Sequence, residues 1–262
     1  IQIQDKINFL QVDINDQASL YKAVTQANPD EIYNFGGVSF SPNSWMTPEY
    51  TANVNGVGAL RILECIKNIN PAIKYYQAGS SEIYGNLSNI TITEETLPHP
   101  KTPYGVAKLY AQWIIRNYRE SSGLFACNGI SFNHESERRG LQFVTKKIIN
   151  QLYKLKTGQI DTVRLGNLDA KRDWGHAEDY VEAMYLMMQH SYPDDFVIST
   201  GVTTPVREFI RMAFREVGVE LEFEGKGVDE KGRVISSSNP DYAFKIGQVI
   251  LQIDPAYFRP TE

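Results

Sequence analysis

Residues 31–37, Glu31-Ile32-Tyr33-Asn34-Phe35-Gly36-Gly37, read as a short strand turned by two glycines. The same alternation continues on both sides. Upstream, Ile7-Asn8-Phe9-Leu10-Gln11-Val12 predicts a strand ending in Asp13. Asp16 then predicts the cap of a helix over Gln17 to Gln26, which Asn28-Pro29-Asp30 stops. Downstream, the spacing of Val54, Val57, Leu60, Ile62 and Leu63 predicts a helix from about Asn53 to Lys67. Ile73-Lys74-Tyr75-Tyr76-Gln77-Ala78 predicts the next strand, Tyr104 to about Ser121 a helix, and Ala126 to Phe132 a strand. Strands separated by helices imply a parallel α/β sheet covered on both faces. Ligands of such sheets lie beyond the carboxyl ends of the strands. That rule singles out Asp13, Gly36-Gly37, Gly79-Ser80-Ser81-Glu82 and Asn133-His134-Glu135.

The second half is less regular. Phe143 to Lys156 predicts a helix and Val163-Arg164-Leu165 a short strand. A helix over Ala177 to Gln189 is expected, capped by the preceding turn. Phe196-Val197-Ile198-Ser199 predicts a strand, and Val206 to Val217 a helix. From Glu222 the chain is rich in Gly, Asp, Lys and Ser, with Gln248-Val249-Ile250-Leu251-Gln252-Ile253 strand-like near its end. Two domains are expected: residues 1–132, to which elements around 174–200 return, and a smaller interleaved domain over 133–262.

The 262 residues carry a net charge of -5, which offers no broad basic surface to nucleic acid or an anionic membrane. Neither is expected as a partner. Local clusters at Arg138-Arg139 and Lys146-Lys147 suit one phosphorylated ligand. Cys65 and Cys127 lie far apart in apolar stretches without metal-ligand spacing. They predict buried free thiols, no metal and a cytoplasmic setting. No run of apolar residues reaches the length of a membrane span.

The strongest chemical signal is Tyr104-Gly105-Val106-Ala107-Lys108. Tyr and Lys four apart share one helix face. An ammonium beside a phenol favours the phenolate, which makes the tyrosine a usable base. Alone, this spacing is common and reads sooner as a Tyr packed across a helix turn from a solvated Lys. Its position after Thr102-Pro103, one unit beyond Gln77-Ala78-Gly79-Ser80-Ser81-Glu82-Ile83-Tyr84-Gly85, raises its weight. There two hydroxyls and a carboxylate stand at a strand end, although a Ser-rich turn with a capping Glu has the same composition.

Together these residues resemble the extended short-chain dehydrogenase/reductases, and Glu82 resembles the additional acid of sugar-nucleotide dehydratases. Three longer strings are similar to the GDP-mannose 4,6-dehydratases: Asn128 to Ser136 with Arg138-Arg139-Gly140 and Phe143-Val144-Thr145; Leu165 to His176; and Tyr257 to Glu262. The resemblance implies a Rossmann-type doubly wound sheet with a smaller α/β substrate domain, NADP as cofactor, GDP-mannose as substrate and a homodimer or homotetramer. It further implies Ser80, Glu82, Tyr104 and Lys108 as catalytic residues, with Ser80 where the family has threonine. Asp13, Ile14, Gly36, Gly37, Tyr104, Lys108 and His134 would meet the cofactor. Asn133, Arg139, Lys147, Arg172, Arg259 and Glu262 would meet the nucleotide sugar, beside Ser80 and Glu82. Plainer readings accompany several of these. Asn133 and His134 close a turn, Arg172-Asp173 form a surface ion pair, Arg139 and Lys147 are solvated helix charges, and Arg259 and Glu262 fray.

The sequence departs from the family pattern in two places. The glycine-rich dinucleotide fingerprint is not in these residues. By the resemblance it should precede Ile1, with the chain starting near the third strand and its first βαβ unit missing. In the loop Gly37-Val38-Ser39-Phe40-Ser41-Pro42-Asn43-Ser44-Trp45, Phe40 replaces a histidine. Two other readings remain: a related dTDP-glucose dehydratase or nucleotide-sugar epimerase, and a non-catalytic nucleotide-sugar-binding fragment.

Overall fold

The computed structural model describes residues 6–87, 90–242 and 244–257. The chain divides into two compact units, Ile1–Phe132 with Glu178–Ile198, and Asn133–Ala177 with Ser199–Glu262. In chain order the first unit holds α1 (Gln17–Ala27), β1 (Glu31–Asn34), α2 (Pro48–Thr51), α3 (Gly58–Ile69), β2 (Lys74–Ala78), α4 (Pro103–Ser122) and β3 (Ala126–Ser131). Then come β4 (Asn133–Glu135), α5 (Val144–Lys156), β5 (Val163–Leu165) and β6 (Lys171–His176). The chain returns through α6 (Ala177–Gln189) and β7 (Asp195–Ile198). It ends in β8 (Thr203–Pro205), α7 (Val206–Glu216), β9 (Val219–Glu224), β10 (Lys231–Ser237) and β11 (Val249–Ile253).

The first unit is a parallel sheet in the order β1-β2-β3-β7. Alternate residues of its strands feed two different cores, as the pleat requires. Tyr75 and Ala126 join Leu20, Val24, Leu63 and Ile115 of the helices on one face, while Tyr76 and Cys127 pack against Met184, Met187 and Met188 of α6 on the other. Both faces are therefore covered, and the doubly wound α/β class holds. Each fully buried aliphatic side chain contributes about 1.5–3 kcal/mol, so the sheet is well anchored. Both cysteines are free and buried.

Local chemistry explains the helix ends. The Asp16 carboxylate accepts from Ala18 N to start α1, and Asn28 closes it in the left-handed region at φ 40°. Thr102 Oγ1 accepts from Gly105 N to start α4, with Pro103 at its first turn, and Gly123 ends it at φ 67°. At the far end of α4, Arg119 Nη1 donates to Ala126 O at 2.9 Å and reaches Asp195 Oδ1 at 3.2 Å, tying the helix to β7.

Four expectations need correction. Ile7 to Val12 form no strand, because β pairing needs a neighbour and none among the described residues lies beside them; Ile7, Phe9 and Val12 are exposed. The helix expected from Asn53 is split by a π-helical turn over Ala52–Val57, inside which Asn55 is withdrawn to bond the loop at Val38. The residues before α6 are strand β6, not a capping turn. The polar tail from Glu222, read as strand-like only at Gln248 to Ile253, also contains the end of β9 and all of β10 in the mixed sheet β5-β11-β10-β9. Its strand pattern was masked because a core-facing position of β10 is Gly232, where a Cβ would stand 3.0 Å from Leu251 Cβ.

The second unit packs that sheet against α5 and α7, through residues that include Ile148, Leu152, Ile210, Phe214, Leu251 and Val234. A separate sheet, β4-β6-β8, carries the Asn133-to-Glu135 segment. Among the described residues no helix is long and apolar enough to cross a membrane.

Candidate active site

The carboxyl ends of β1 and β2 open onto one cluster of functional groups. Ser80 follows β2 and caps the short 3-10 turn Ser81–Ile83, its Oγ accepting from Glu82 N at 3.2 Å. Glu82 is half-buried. Its Oε2 accepts from Ser41 Oγ at 2.7 Å and from Thr102 Oγ1 at 3.1 Å. Tyr104 and Lys108 stand on the first turns of α4, both buried, at 8% and 7% exposure. The Lys108 Nζ lies 5.7 Å from the Tyr104 ring centroid and donates to Ala78 O at 2.8 Å.

Burial pulls the Lys108 ammonium down to about 8 from its ordinary value near 10.5. The group is thus mainly cationic at neutral pH, yet close enough to titration to lose its proton in mild alkali. The linked stability change has a definite sign. Between about pH 8 and 10.5 the unfolded lysine holds a proton that the folded one lacks, so folding stability rises with pH across that window and is flat below it. Relative to Lys108→Met, the wild type should gain on the order of 3 kcal/mol between those limits, from a shift of about 1.4 kcal/mol per pH unit. Denaturant unfolding of both proteins across the range measures it; equal pH slopes would contradict the assignment.

Beneath the cluster runs a buried polar network. Asn34 Nδ2 donates to Gln77 Oε1 at 2.9 Å and to the Tyr75 hydroxyl at 3.1 Å, and the Tyr75 hydroxyl in turn donates to Gln77 Oε1. Gln77 Nε2 donates to Ala78 O at 3.2 Å, the same carbonyl that holds Lys108. At the other end, Asn34 Oδ1 accepts from Gly36 N at 3.1 Å. Burial pushes the Tyr75 phenol above its ordinary range, which keeps it neutral and able to donate. The network therefore fixes both the Gly36-Gly37 turn and the carbonyl that accepts from the Lys108 ammonium.

That turn must be bare backbone. A Cβ on Gly37 would stand 2.8 Å from Asn55 Oδ1 and 3.9 Å from Lys108 Nζ, and one on Gly36 would meet Ile14 Cδ1 at 3.2 Å. Asn55 clamps the next residue in both directions: Val38 N donates to Oδ1 at 2.8 Å and Nδ2 donates to Val38 O at 3.0 Å. π-helical turns of this kind recur at functional sites because they re-aim one side chain. Ile14 thus lies beside Gly36. Asp13 is exposed and organises the turn ahead of α1 rather than ending a strand, with Asn15 N donating to its Oδ1 at 2.9 Å.

The remaining expected residues lie in the second unit. Asn133 and His134 are half-buried in β4, in register with Trp174 and Gly175 of β6, so they form a strand and not a turn. Arg139 is not a solvated helix charge. Its guanidinium lies 3.6 Å from the Phe143 ring centroid, and its Nε is 3.3 Å from Glu135 Oε2, an ion-pair approach without hydrogen-bond alignment. Lys147 is half-buried with its Nζ 3.2 Å from the Tyr257 ring centroid, and burial lowers its pKa against the opposing pull of Asp254. Arg172 and Asp173 form no surface pair, since neighbours on a strand face opposite ways. Asp173 is buried and accepts from Thr200 N, Thr200 Oγ1 and Gly201 N, whereas Arg172 Nη1 donates to Lys171 O. Arg259 and Glu262 lie outside the described residues.

The sequence profile of the family described as GDP-mannose 4,6 dehydratase matches residues 1–262. The chain belongs to the GDP-mannose 4,6-dehydratase family. Among relatives of that name, the Vibrio cholerae serotype O1 protein is 50% identical over 255 residues, covering 95% of this chain and 68% of the relative. The Homo sapiens protein is 48% identical over 253 residues, covering 95% of this chain and 65% of the relative. The fold is similar to that of RMD from Pseudomonas aeruginosa complexed with NADPH, with a TM-score of 0.77 at 20% identity, over 95% of this chain and 76% of that one. It is also similar to the dTDP-glucose 4,6-dehydratase DesIV from Streptomyces venezuelae, with a TM-score of 0.72 at 20% identity, over 79% of this chain and 62% of that one.

Three residues of this member of the GDP-mannose 4,6-dehydratase family were not singled out from sequence: Ser41, Asn55 and Gln77. Thr102 was noted only as the residue ahead of Pro103. Its place before a helix is a legible cap signal. Ser41 carries no such mark, being one serine in a loop with three.

Proposed function

We propose that this chain converts GDP-mannose to GDP-4-keto-6-deoxymannose. The observation that carries the reading is the joint presence, at one end of the parallel sheet, of a Tyr104/Lys108 pair and a hydroxyl-anchored carboxylate, Glu82. An epimerase needs the first alone; a dehydratase needs both, one relay for oxidation and one for elimination. Family membership supports the substrate.

The residues fit NADP at the strand ends. The Gly36-Gly37 turn is exposed, lacks side chains beside the Lys108 ammonium and is held by the Asn34 network. Gly36, Gly37, Tyr104 and Lys108 would hold the cofactor, Asp13 and Ile14 would meet its adenine part, and His134 of the second unit is likewise assigned to the cofactor. When bound, NADP would supply reversible two-electron chemistry for oxidation at carbon 4 and reduction at carbon 6, with no net redox change. Tyr104 takes the proton of the 4-hydroxyl, with the Lys108 charge favouring the phenolate, while Ser80 hydrogen-bonds the same oxygen. The 4-ketone acidifies carbon 5. Glu82 removes that proton and delivers it to the 6-hydroxyl, which leaves as water.

We assign the first unit to the cofactor and the acid–base groups, and the second to the nucleotide sugar through Asn133, Arg139, Lys147 and Arg172. Arg259 and Glu262 are assigned to the guanosine end. A homodimer or homotetramer accords with exposed Trp45, Tyr50, Val106, Tyr110 and Trp113 on the first unit. A cytoplasmic setting accords with the free thiols Cys65 and Cys127.

Incubation of the purified protein with GDP-mannose and NADP, with the product read by mass, tests the function. The expected result is loss of one water without net cofactor reduction. Unchanged GDP-mannose with bound cofactor would point to another nucleotide sugar; unchanged GDP-mannose without cofactor binding would point to a non-catalytic binding chain.

A further inference from the structure

We propose that Ser41 is a positioning residue for the elimination step, holding one oxygen of Glu82 so that the other faces the reacting sugar. The inference rests on the function proposed above.

The contact is a built one. Ser41 Oγ donates to Glu82 Oε2 at 2.7 Å, and Thr102 Oγ1 donates to the same oxygen at 3.1 Å. Thr102 is itself polarised, because its Oγ1 accepts from Gly105 N at the start of α4. Among the described residues, no hydrogen bond to Glu82 Oε1 accompanies these. The carboxylate is therefore anchored through one oxygen only. Two donors on Oε2 fix the plane of the group and leave Oε1 to take the carbon 5 proton and pass it to the departing 6-hydroxyl. In that step the carbon 5–hydrogen bond breaks, its electron pair forms the carbon 5–carbon 6 double bond, and the carbon 6–oxygen bond breaks with release of water.

Ser41 is held as firmly as the group it holds. It opens a 3-10 turn, Ser41–Trp45, with Pro42 next to it. Its carbonyl accepts from the Oγ of the fully buried Ser44 at 2.6 Å. The other end of the loop is clamped at Val38 by Asn55. A loop pinned at both ends delivers its hydroxyl without a large entropic cost at each turnover. Neither Tyr104 nor Lys108 takes part in this clasp, so its loss should act on one half of the reaction.

Single-turnover kinetics of Ser41→Ala with GDP-mannose and NADP provide the test, following reduced-nicotinamide absorbance and solvent deuterium uptake at carbon 5. A hydrogen bond to a charged group is worth enough to slow the step it positions by on the order of tenfold. The expected result is an unchanged rate of cofactor reduction, transient accumulation of reduced cofactor, and deuterium uptake slowed by about that factor. Ser41→Thr, which keeps the hydroxyl, should restore both signals. Equal slowing of reduction and elimination would reduce Ser41 to a structural role and overturn the proposal, as would no slowing of either. If the wild type itself releases no water from GDP-mannose, the underlying function fails and this inference with it; if the wild type does and Ser41→Ala does not separate the two steps, only the positioning role fails.

Discussion

Glu82→Gln should stop water elimination while leaving oxidation at carbon 4 intact. The substitution preserves shape and removes only the ability to carry a proton. The Ser41 and Thr102 hydroxyls can turn to accept from or donate to the new amide, so the turn over Ser81–Ile83 should survive and stability should change little. Loss of a positioned general base costs about 100- to 10,000-fold. Product formation should fall by that factor, while reduced cofactor appears at a rate near the wild type's and then persists, because the 4-keto sugar cannot proceed. Rapid-mixing absorbance with product mass analysis reads both quantities. Full product formation by Glu82→Gln would exclude the residue from the mechanism.

Tyr104→Phe should give the complementary phenotype. With the phenolic oxygen removed, the first proton transfer has no acceptor on α4, so neither reduced cofactor nor dehydrated product should form. The expected loss is again about 100- to 10,000-fold, now in the first step. Phe fills the buried position, the Lys108 bond to Ala78 O does not depend on the phenol, and the fold should be unaffected. Substrate affinity measured by calorimetry should stay close to that of the wild type, since the loss lies in the transition state. If Tyr104→Phe still reduced the cofactor at the normal rate, another group would have to be the base. The pair of variants divides the reaction at the ketone: Glu82→Gln stalls after it, Tyr104→Phe before it.

Much of the architecture was legible in the residue order. Asp16 and Asn28 mark the ends of α1 by local capping chemistry, and the helix forms within one residue of the predicted span. The helix predicted over Ala177 to Gln189 forms over those residues. The strand–helix alternation around Glu31 to Gly37 implied a parallel sheet covered on both faces, and β1-β2-β3-β7 is that sheet. Such signals survive in sequence because they depend on neighbours three or four residues apart, or on alternation within a strand. The strand-end rule likewise singles out Ser80 and Glu82 from the sequence.

What the tertiary structure alone decided are the pairings between distant residues. Ile7 to Val12 have strand composition and no strand, since pairing is a property of two segments. Gly232 hid β10 because its core contact is made by Leu251 of the neighbouring strand β11 and not by a side chain of its own. For Arg139 the sequence left a ligand contact and a solvated charge side by side, and only the fold set its guanidinium against Glu135 and Phe143. Ser41 has no local mark at all; forty-one positions separate it from Glu82, and only closure of the chain brings its hydroxyl to that carboxylate. The elements and the acid–base residue types were thus written locally, whereas the clasp that orients Glu82 and the network that fixes Lys108 arise from long-range hydrogen bonds, which leave no period in a sequence.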